Sequence, residues 1–116
     1  MGAFVISKRF DDQYKFVFTS RKGKTIFTST PFELKMDCES VIELVKENVD
    51  KCTYLKARAA NGKFFFKLMI EELHVATSRK YTTALLLQKG IDEIILYSVQ
   101  SEILDFSMNA DVFSDL

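Results

Sequence analysis

The sequence predicts a small α+β domain built from a duplicated strand–hairpin–helix unit. The chain has 116 residues, the size of a single domain. Hydrophobic residues make up 47% and charged residues 28%, a globular composition. The chain also aligns with itself at an offset of 50 residues that shortens to 49 in one turn. We therefore expect one domain over residues 1–116, with repeat one at 3–50, repeat two at 53–107 and an acidic tail at 108–116.

Each repeat starts with a pattern typical of an antiparallel meander. Aromatic residues alternate with polar ones from Tyr14 to Thr19, which predicts a half-buried strand. Strands are also predicted near 3–9, 25–28, 53–59, 64–70 and 74–77. The Asn61-Gly62 pair predicts a tight hairpin, because both residues tolerate positive φ, and Asp11-Asp12 stands at that place in repeat one.

A helix is predicted to follow the strands of each repeat. Apolar residues from Leu34 to Val49 recur at helical spacing and predict the first helix. The second is predicted over Thr82–Tyr97, with Thr82 or Thr83 as N-cap. Gly90 in its middle indicates a close approach between this helix and the sheet.

The second helix is more apolar than the first. Three of its apolar residues align with polar ones: Leu86 with Asp37, Ile95 with Lys46 and Leu96 with Glu47. The segment from Glu102 to Ser107 resembles a further short strand. Extra apolar surface needs a cover, so we expect either the tail to cover the second helix or a homodimer to form through this helix and the C-terminal tail.

Overall charge and cysteine content narrow the class of protein. The 16 basic and 16 acidic residues cancel, which argues against a dedicated nucleic-acid or membrane-surface binder. No signal peptide and no long apolar span is recognisable. Cys38 and Cys52 form no CxxC pair. We expect a protein of the reducing cytoplasm without a membrane partner.

Several short motifs recur in a fixed order along the chain. In repeat two they are Ala60-Asn61-Gly62-Lys63, Ala76-Thr77-Ser78, Tyr81 and Gly90-Ile91. In repeat one they are Thr28-Ser29, Phe32 and Val41-Ile42. Together these motifs resemble the YegP-like family, small bacterial proteins of unknown function. The resemblance covers residues 3–107 and depends on the order and repetition of these short motifs.

The resemblance implies a fold but no activity. It implies two tandem strand-strand-strand-helix-strand modules that share one antiparallel sheet, with the helices packed on it and the last strands exchanged between modules. The stretch near Lys51–Thr53 would be the last strand of repeat one, and residues 102–107 that of repeat two. The family supplies no catalytic residue and no cofactor, so we assign none.

Catalytic and metal-binding residues are sparse. His74 is the only histidine, so a metal cluster built on histidines is excluded. An enzyme would have to pair Cys52 with His74 and a third orienting group, which we regard as the least favoured alternative. Cys38 aligns with Leu87 and is expected to be a small buried hydrophobic residue. The adjacent acids Asp11-Asp12 and Glu71-Glu72 point to opposite faces and make no acid/base couple.

Two further motifs have both a functional and a structural interpretation. The Thr28-Ser29 and Thr77-Ser78 pairs could line an anion site at a helix N-terminus, but helix entry and capping need the same residues. The basic turn Arg21–Lys24 could contact phosphates, or it could be a solvated hairpin tip. A nucleic-acid patch would add Lys8, Arg9 and Lys15, with Tyr14 or Phe10 for stacking.

The sequence therefore favours a non-enzymatic binding or interaction protein of the bacterial cytoplasm. Weak nucleic-acid contact through the basic hairpins is the first alternative, and an enzyme using Cys52 or His74 is the second. The features that are not repeated between the two copies are the basic turn, the extra apolar residues of the second helix and the acidic tail.

Overall fold

A computed structural model describes residues 2–107 and contains seven strands and two long helices. The acidic tail at 108–116 lies outside the described residues. In chain order the elements are β1 (Ala3–Lys8), β2 (Tyr14–Thr19), β3 (Thr25–Ser29), α1 (Lys35–Asn48), β4 (Thr53–Arg58), β5 (Phe64–Ile70), β6 (Leu73–Ser78), α2 (Ala84–Tyr97), a 3-10 turn (Ser98–Gln100) and β7 (Glu102–Asp105).

All seven strands form one mixed sheet in the order β4-β5-β6-β3-β2-β1-β7. Consecutive strands within each meander are antiparallel, and β3 pairs with β6 at the centre. The expectation of a purely antiparallel sheet was wrong, because β7 lies parallel to β1, with Ala3 opposite Glu102. A helix separates β7 from the strands before it, and this crossover lets the chain re-enter the sheet in the direction of β1.

The prediction of a last strand at the end of repeat one was also wrong. Lys51 and Cys52 lie in a turn, and Thr53 already begins β4, so no separate strand follows α1. The segment from Glu102 to Asp105 extends the sheet beyond β1, where the Asp105 carboxylate meets Lys35 at the start of α1. This segment therefore does not cover α2.

The two first hairpins share one turn geometry. Gly62 has φ +84°, and Asp12, at the same place in repeat one, has φ +67°. Gly62 N donates to Ala59 O at 2.9 Å, and Asp12 N donates to Arg9 O at 3.0 Å. The hairpin predicted from the Asn61-Gly62 pair is present, but only Gly62 has positive φ, because a longer loop needs one left-handed residue where a two-residue turn needs two.

The core lies between one face of the sheet and the helices. Phe4, Phe16, Phe18 and Phe27 are fully buried, and the rings of Phe4 and Phe18 are 4.8 Å apart. Aromatic rings packed in this way bury a large apolar area in a short chain. Cys38 is fully buried among them, as predicted. Neither described helix is long and apolar enough to cross a membrane.

Candidate functional site

A cleft of about 480 Å³ opens between the β2–β3 turn and α2. Two segments form its walls, the turn from Ser20 to Lys24 on one side and α2 from Leu86 to Tyr97 on the other. Gly2, Ile26, Arg79 and Tyr81 complete the lining. The cleft lies where Arg79 N donates to Ile26 O, so it is built at the junction of the central strands β3 and β6.

The cleft is strongly basic. Its lining includes five cationic side chains and two acidic ones, an excess of three positive charges in a chain of zero net charge. The cationic residues are Arg21, Lys22, Lys24, Arg79 and Lys89; the acidic ones are Asp92 and Glu93. None of the five cations forms an ion pair within residues 2–107. Cations gathered in a concave surface concentrate a positive potential there.

The helix wall adds apolar surface. Leu86 and Leu96 are 44% and 66% exposed, and Tyr97 lies beside them. These leucines are two of the residues that the sequence identified as unexpectedly apolar. The cleft therefore joins the basic turn to the apolar excess of α2, two features that lie far apart in the sequence.

Gly90 and Tyr81 shape the floor of the cleft. A Cβ added at Gly90 would overlap with the Tyr81 hydroxyl and lie 2.9 Å from Cζ of that ring. Gly90 therefore permits a close approach, as predicted, but the group that approaches is the Tyr81 side chain just after β6. Repeat one has Val41 and Phe32 at the corresponding positions. Glycine is therefore found in the repeat whose aromatic residue carries a hydroxyl, and a larger residue in the repeat whose aromatic residue does not.

The Tyr81 hydroxyl is a donor available to a ligand. Burial raises the pKa of Tyr81, and Glu93 adds to this effect while Arg79 opposes it. The phenol is therefore protonated at neutral pH. Arg79 lies 5.4 Å from the centre of the Tyr81 ring, a cation–π distance. Within residues 2–107 the hydroxyl has no hydrogen-bond partner.

A second cleft, of about 430 Å³, lies at the corresponding place beside α1. It is lined by Leu44, Asn48, Lys51, Cys52, Ile70, Glu71 and Leu73. The positions that correspond to the cations of the first cleft are not cationic: Glu71 for Arg21, Thr30 for Arg79 and Ser40 for Lys89. The fold therefore forms this kind of cleft without the positive charge.

Arg79, Tyr81 and Lys89 were not identified from the sequence as parts of a site. Tyr81 and Gly90 were read only as framework residues. A comparison of charges between the aligned repeats was the available signal, since the cations at 21, 79 and 89 each align with a residue of the other repeat that is not cationic.

The proposed nucleic-acid patch is not assembled, and this correction has a simple geometric cause. Lys8 and Arg9 lie at the opposite end of the β1–β2 hairpin from the basic turn, because Lys8 pairs with Tyr14 while Ala3 pairs with Thr19. Both cations are also paired locally. Lys8 Nζ is 3.8 Å from Asp12, and Arg9 is 3.4 Å from Asp11.

The structure does not bring Cys52 and His74 together as a catalytic pair. His74 Nε2 lies 3.0 Å from both Ala76 O and Thr77 Oγ1, and no hydrogen bond joins it to Cys52 in the described chain. Burial, with a contribution from Asp50, raises the pKa of Cys52 to about 11. This disfavours the thiolate that a nucleophile requires.

Ser29 and Ser78 serve the sheet rather than an anion site. Ser29 Oγ accepts from Phe16 N and Ser78 Oγ accepts from Phe66 N, each at 2.9 Å. Neither hydroxyl caps a helix, so both the anion-site and the capping interpretations were wrong for these serines. The cap of α2 is Thr83, whose Oγ1 accepts from Leu86 N, as one of the two predicted candidates.

The acidic pairs Asp11-Asp12 and Glu71-Glu72 both lie in turns between strands. Asp11 Oδ1 accepts from Gln13 N and stabilises the first turn. Glu71 has φ +56° and closes the turn between β5 and β6. No group of three or more potential metal ligands occurs within residues 2–107.

The fold places the chain in a class of small α+β proteins in which one mixed sheet carries two helices on a single face. No protein-family model matches the chain. Among curated proteins, YegP of Escherichia coli is 35% identical over 95 residues, which is 80% of this chain and 86% of YegP. The UPF0339 protein of Shewanella oneidensis is 30% identical over 96 residues, 81% of this chain and 87% of that protein. The chain belongs to the UPF0339 family, which includes YegP.

Two solved structures support the same assignment. The solution structure of Escherichia coli YegP, described as a protein of unknown function, superposes with a TM-score of 0.82 at 31% identity and covers 91% of this chain and 93% of YegP. The solution structure of the Shewanella oneidensis protein gives 0.84 at 28% identity and covers 92% of both chains. These relatives indicate no specific function, and the cleft has to be interpreted from its own residues.

Proposed function

We propose that this protein is a non-enzymatic binding protein of the bacterial cytoplasm, and that the basic cleft binds an anionic ligand with an apolar part. One observation carries the proposal. The basic turn of repeat one has no basic counterpart in repeat two, the extra apolar residues of α2 have no apolar counterpart in repeat one, and both line the same cleft.

We further propose that the chain consists of two tandem copies of one module, with the last strand of repeat two exchanged onto repeat one. The bond from Phe16 N to Ser29 Oγ recurs between Phe66 N and Ser78 Oγ. β7, from repeat two, pairs with β1 of repeat one. If the copies began alike, then the repeated residues maintain the fold, and the cations found in one copy alone serve another purpose.

The ligand class follows from the two walls. Arginine and lysine side chains on the turn suit a carboxylate, sulfonate or phosphate. Leu86, Leu96 and Tyr97 suit an aromatic or acyl body on the same molecule. The volume of about 480 Å³ matches a small-molecule pocket, which is typically about 300–1,000 Å³.

The probe for this proposal is 1-anilinonaphthalene-8-sulfonate, an aromatic anion whose fluorescence reports binding. The test variant is Arg21→Glu with Lys22→Glu, which gives the turn the charge of Glu71-Glu72 at the corresponding place in repeat two. Because repeat two folds with that turn, the variant is expected to fold. We expect its affinity to fall about tenfold or more, the effect of losing charge-assisted contacts.

The matched control changes two exposed lysines that line neither cleft, Lys63→Glu with Lys80→Glu. This variant has the same net charge as the test variant and should retain the affinity of the unchanged chain. Equal losses in both variants would refute a specific site. Binding of single-stranded RNA that depends on Arg21 and Lys22, without binding of the small anion, would support the nucleic-acid alternative instead.

A homodimer through α2 is a separate proposal. Leu85 and Val99 lie outside the cleft and are exposed in the described part of the chain. Light scattering of the full chain and of a chain ending at Ser107 tests the contributions of the helix and the tail. A full-length protein that is monomeric at high concentration would exclude this dimer.

A further inference from the structure

β1 and β4 occupy corresponding places in the two repeats, but only β1 has a neighbour on its outer side. β1 pairs with β2 from Ala3↔Thr19 to Lys8↔Tyr14, and β4 pairs with β5 in the same register, 50 residues later. β7 then covers the outer edge of β1. In the described chain no strand pairs with the outer edge of β4, because the chain passes from α1 into β4 through a short turn.

The backbone of β4 is oriented to accept a strand. On β1, Ile6 O accepts from Phe106 N at 2.8 Å, so this carbonyl points outward. Lys56 is the corresponding residue of β4 and stands opposite Phe66, as Ile6 stands opposite Phe16. Phe66 N is bonded to Ser78 Oγ, away from β4. The N–H and C=O groups of Lys56 therefore face out of the sheet, and such edge groups are a template for a further strand.

The charge of the edge indicates which strand fits. β4 carries Lys56 and Arg58 and no acidic residue. Two copies paired edge to edge would bring four cations together, and lysine on an edge is a common protection against self-association. A strand with acidic residues would instead find complementary charge.

The chain contains an example of such a strand. In β7, Glu102 and Asp105 flank two apolar residues, and Ile103 packs against the core. The Asp105 carboxylate lies 2.8 Å from Lys35 Nζ. This strand binds β1 in parallel through backbone bonds, one apolar contact and the ion pair of Asp105.

Beside β4, apolar residues replace the two lysines of α1 that bind the β7 segment through Asp105 and the Ser101 carbonyl. Ala84 and Ile95 of α2 stand at the positions that correspond to Lys35 and Lys46 of α1. Ile95 remains 39% exposed. A strand laid on β4 in the register of β7 would therefore meet apolar residues of α2, and the residue at the place of Asp105 would stand opposite Lys56. In this structure Lys56 Nζ donates to Gln88 Oε1 at 2.7 Å, and Arg58 lies over the Phe64 ring, so both cations are already held at this edge.

We propose that the outer edge of β4 binds an extended acidic–apolar segment of a partner protein as an additional parallel strand. This site is distinct from the basic cleft, and the proposal does not depend on the function proposed for that cleft.

The probe is a blocked peptide with the chain's own sequence from Ser101 to Ser107. Amide shifts in ¹⁵N spectra of the full chain should change in Thr53–Arg58 on titration. A control peptide with lysine in place of both acids should bind about tenfold more weakly, since it meets like charge. The variant Lys56→Glu with Arg58→Glu changes two exposed side chains and should reverse this preference.

A second variant, Lys56→Pro, removes the outward N–H, and proline is tolerated on the solvent side of an edge strand. It should bind neither peptide while its circular dichroism stays unchanged. Equal binding of the acidic and basic peptides, or no shift in β4, would overturn the proposal. Shifts confined to β1 would show exchange with the chain's own β7, and shifts confined to residues 20–24 would assign the acidic peptide to the cleft; either result would also overturn it.

Discussion

The Lys35 ammonium lies 2.8 Å from the Asp105 carboxylate, although 70 residues separate them in the chain. Lys35 begins α1 and Asp105 ends β7, so the contact joins the first helix of the chain to its last strand. Ser107 N also donates to Asp105, at 2.9 Å. The carboxylate thus holds β7 against β1 from the helix side.

This contact makes stability depend on pH in a defined direction. Burial alone would raise the pKa of Asp105, but the hydrogen bonds from Lys35 and Ser107 outweigh it and hold the pKa below its usual value of 3.8. A lowered pKa in the folded state means that the contribution is present above pH 3.8 and is lost as the pH falls through the folded-state pKa.

We therefore expect Asp105→Asn to destabilise the protein at neutral pH and to have a smaller effect well below pH 3.8. Urea unfolding of both proteins at the two pH values measures the difference. Glu102→Gln, at the other end of the same strand, has no ion pair within residues 2–107 and serves as the control. A difference that is the same at both pH values would contradict the assignment.

Gly90→Ala should destabilise the protein, although alanine favours a helix by about 1 kcal/mol over glycine. The added Cβ would overlap with the Tyr81 hydroxyl and lie 2.9 Å from Cζ of the ring, so the whole ring would have to move. In a Tyr81→Ala background the overlap is absent, so Gly90→Ala should become stabilising by up to about 1 kcal/mol. Thermal unfolding of the four proteins measures this reversal, and additive effects would argue against the contact.

Ser29→Ala and Ser78→Ala should each destabilise the protein by about 1–3 kcal/mol, because each leaves a buried strand amide without its partner. The two bonds have the same length, 2.9 Å, so similar losses are expected. Ser40→Ala is the control, since that hydroxyl is exposed on α1 and should change stability by less than about 0.5 kcal/mol. A loss at only one of the two serines would show that the bonds are not equivalent.

Both cysteines should react slowly with iodoacetamide in the folded protein. Burial raises the pKa of Cys38 to about 12 and that of Cys52 to about 11, and nearby acids add to both effects. Because the raised pKa of Cys52 lies well above neutral pH, very little of its thiol is in the reactive thiolate form there. Cys52 is half-buried and should be modified before Cys38, which is fully buried.

Mass spectrometry of a Cys52→Ser variant isolates the reaction of Cys38, and denatured protein gives the rate of free thiols. Rapid modification of Cys52 at neutral pH would contradict its raised pKa. It would also reopen the interpretation of this residue as a nucleophile.

The sequence was sufficient for the elements because their signals are local. Alternation from Tyr14 to Thr19 and helical spacing from Leu34 to Val49 depend on neighbours within a few residues. The direction of β7 could not be predicted in this way. It depends on where α2 delivers the chain, which is a property of packing over the whole sheet.

The cleft could not be predicted from the sequence for a related reason. Arg21 and Lys89 are 68 positions apart, and the pairing of β3 with β6 is what brings their segments together. The basic turn was predicted to form one patch with Lys8 and Arg9, because these cations are nearer to it in the chain than Lys89 is. Strand geometry puts those residues at the far end of a hairpin instead.

The pairing of β1 with β7 has a consequence for synthesis on the ribosome. Residues 3–6 are synthesised about a hundred residues before their partners at 102–105. The first strand can form its hairpin with β2 early, but its outer edge has no partner until residues 102–105 have left the ribosome. A nascent chain that stalls before residue 102 would therefore expose the outer edges of both β1 and β4 to the cell's chaperones.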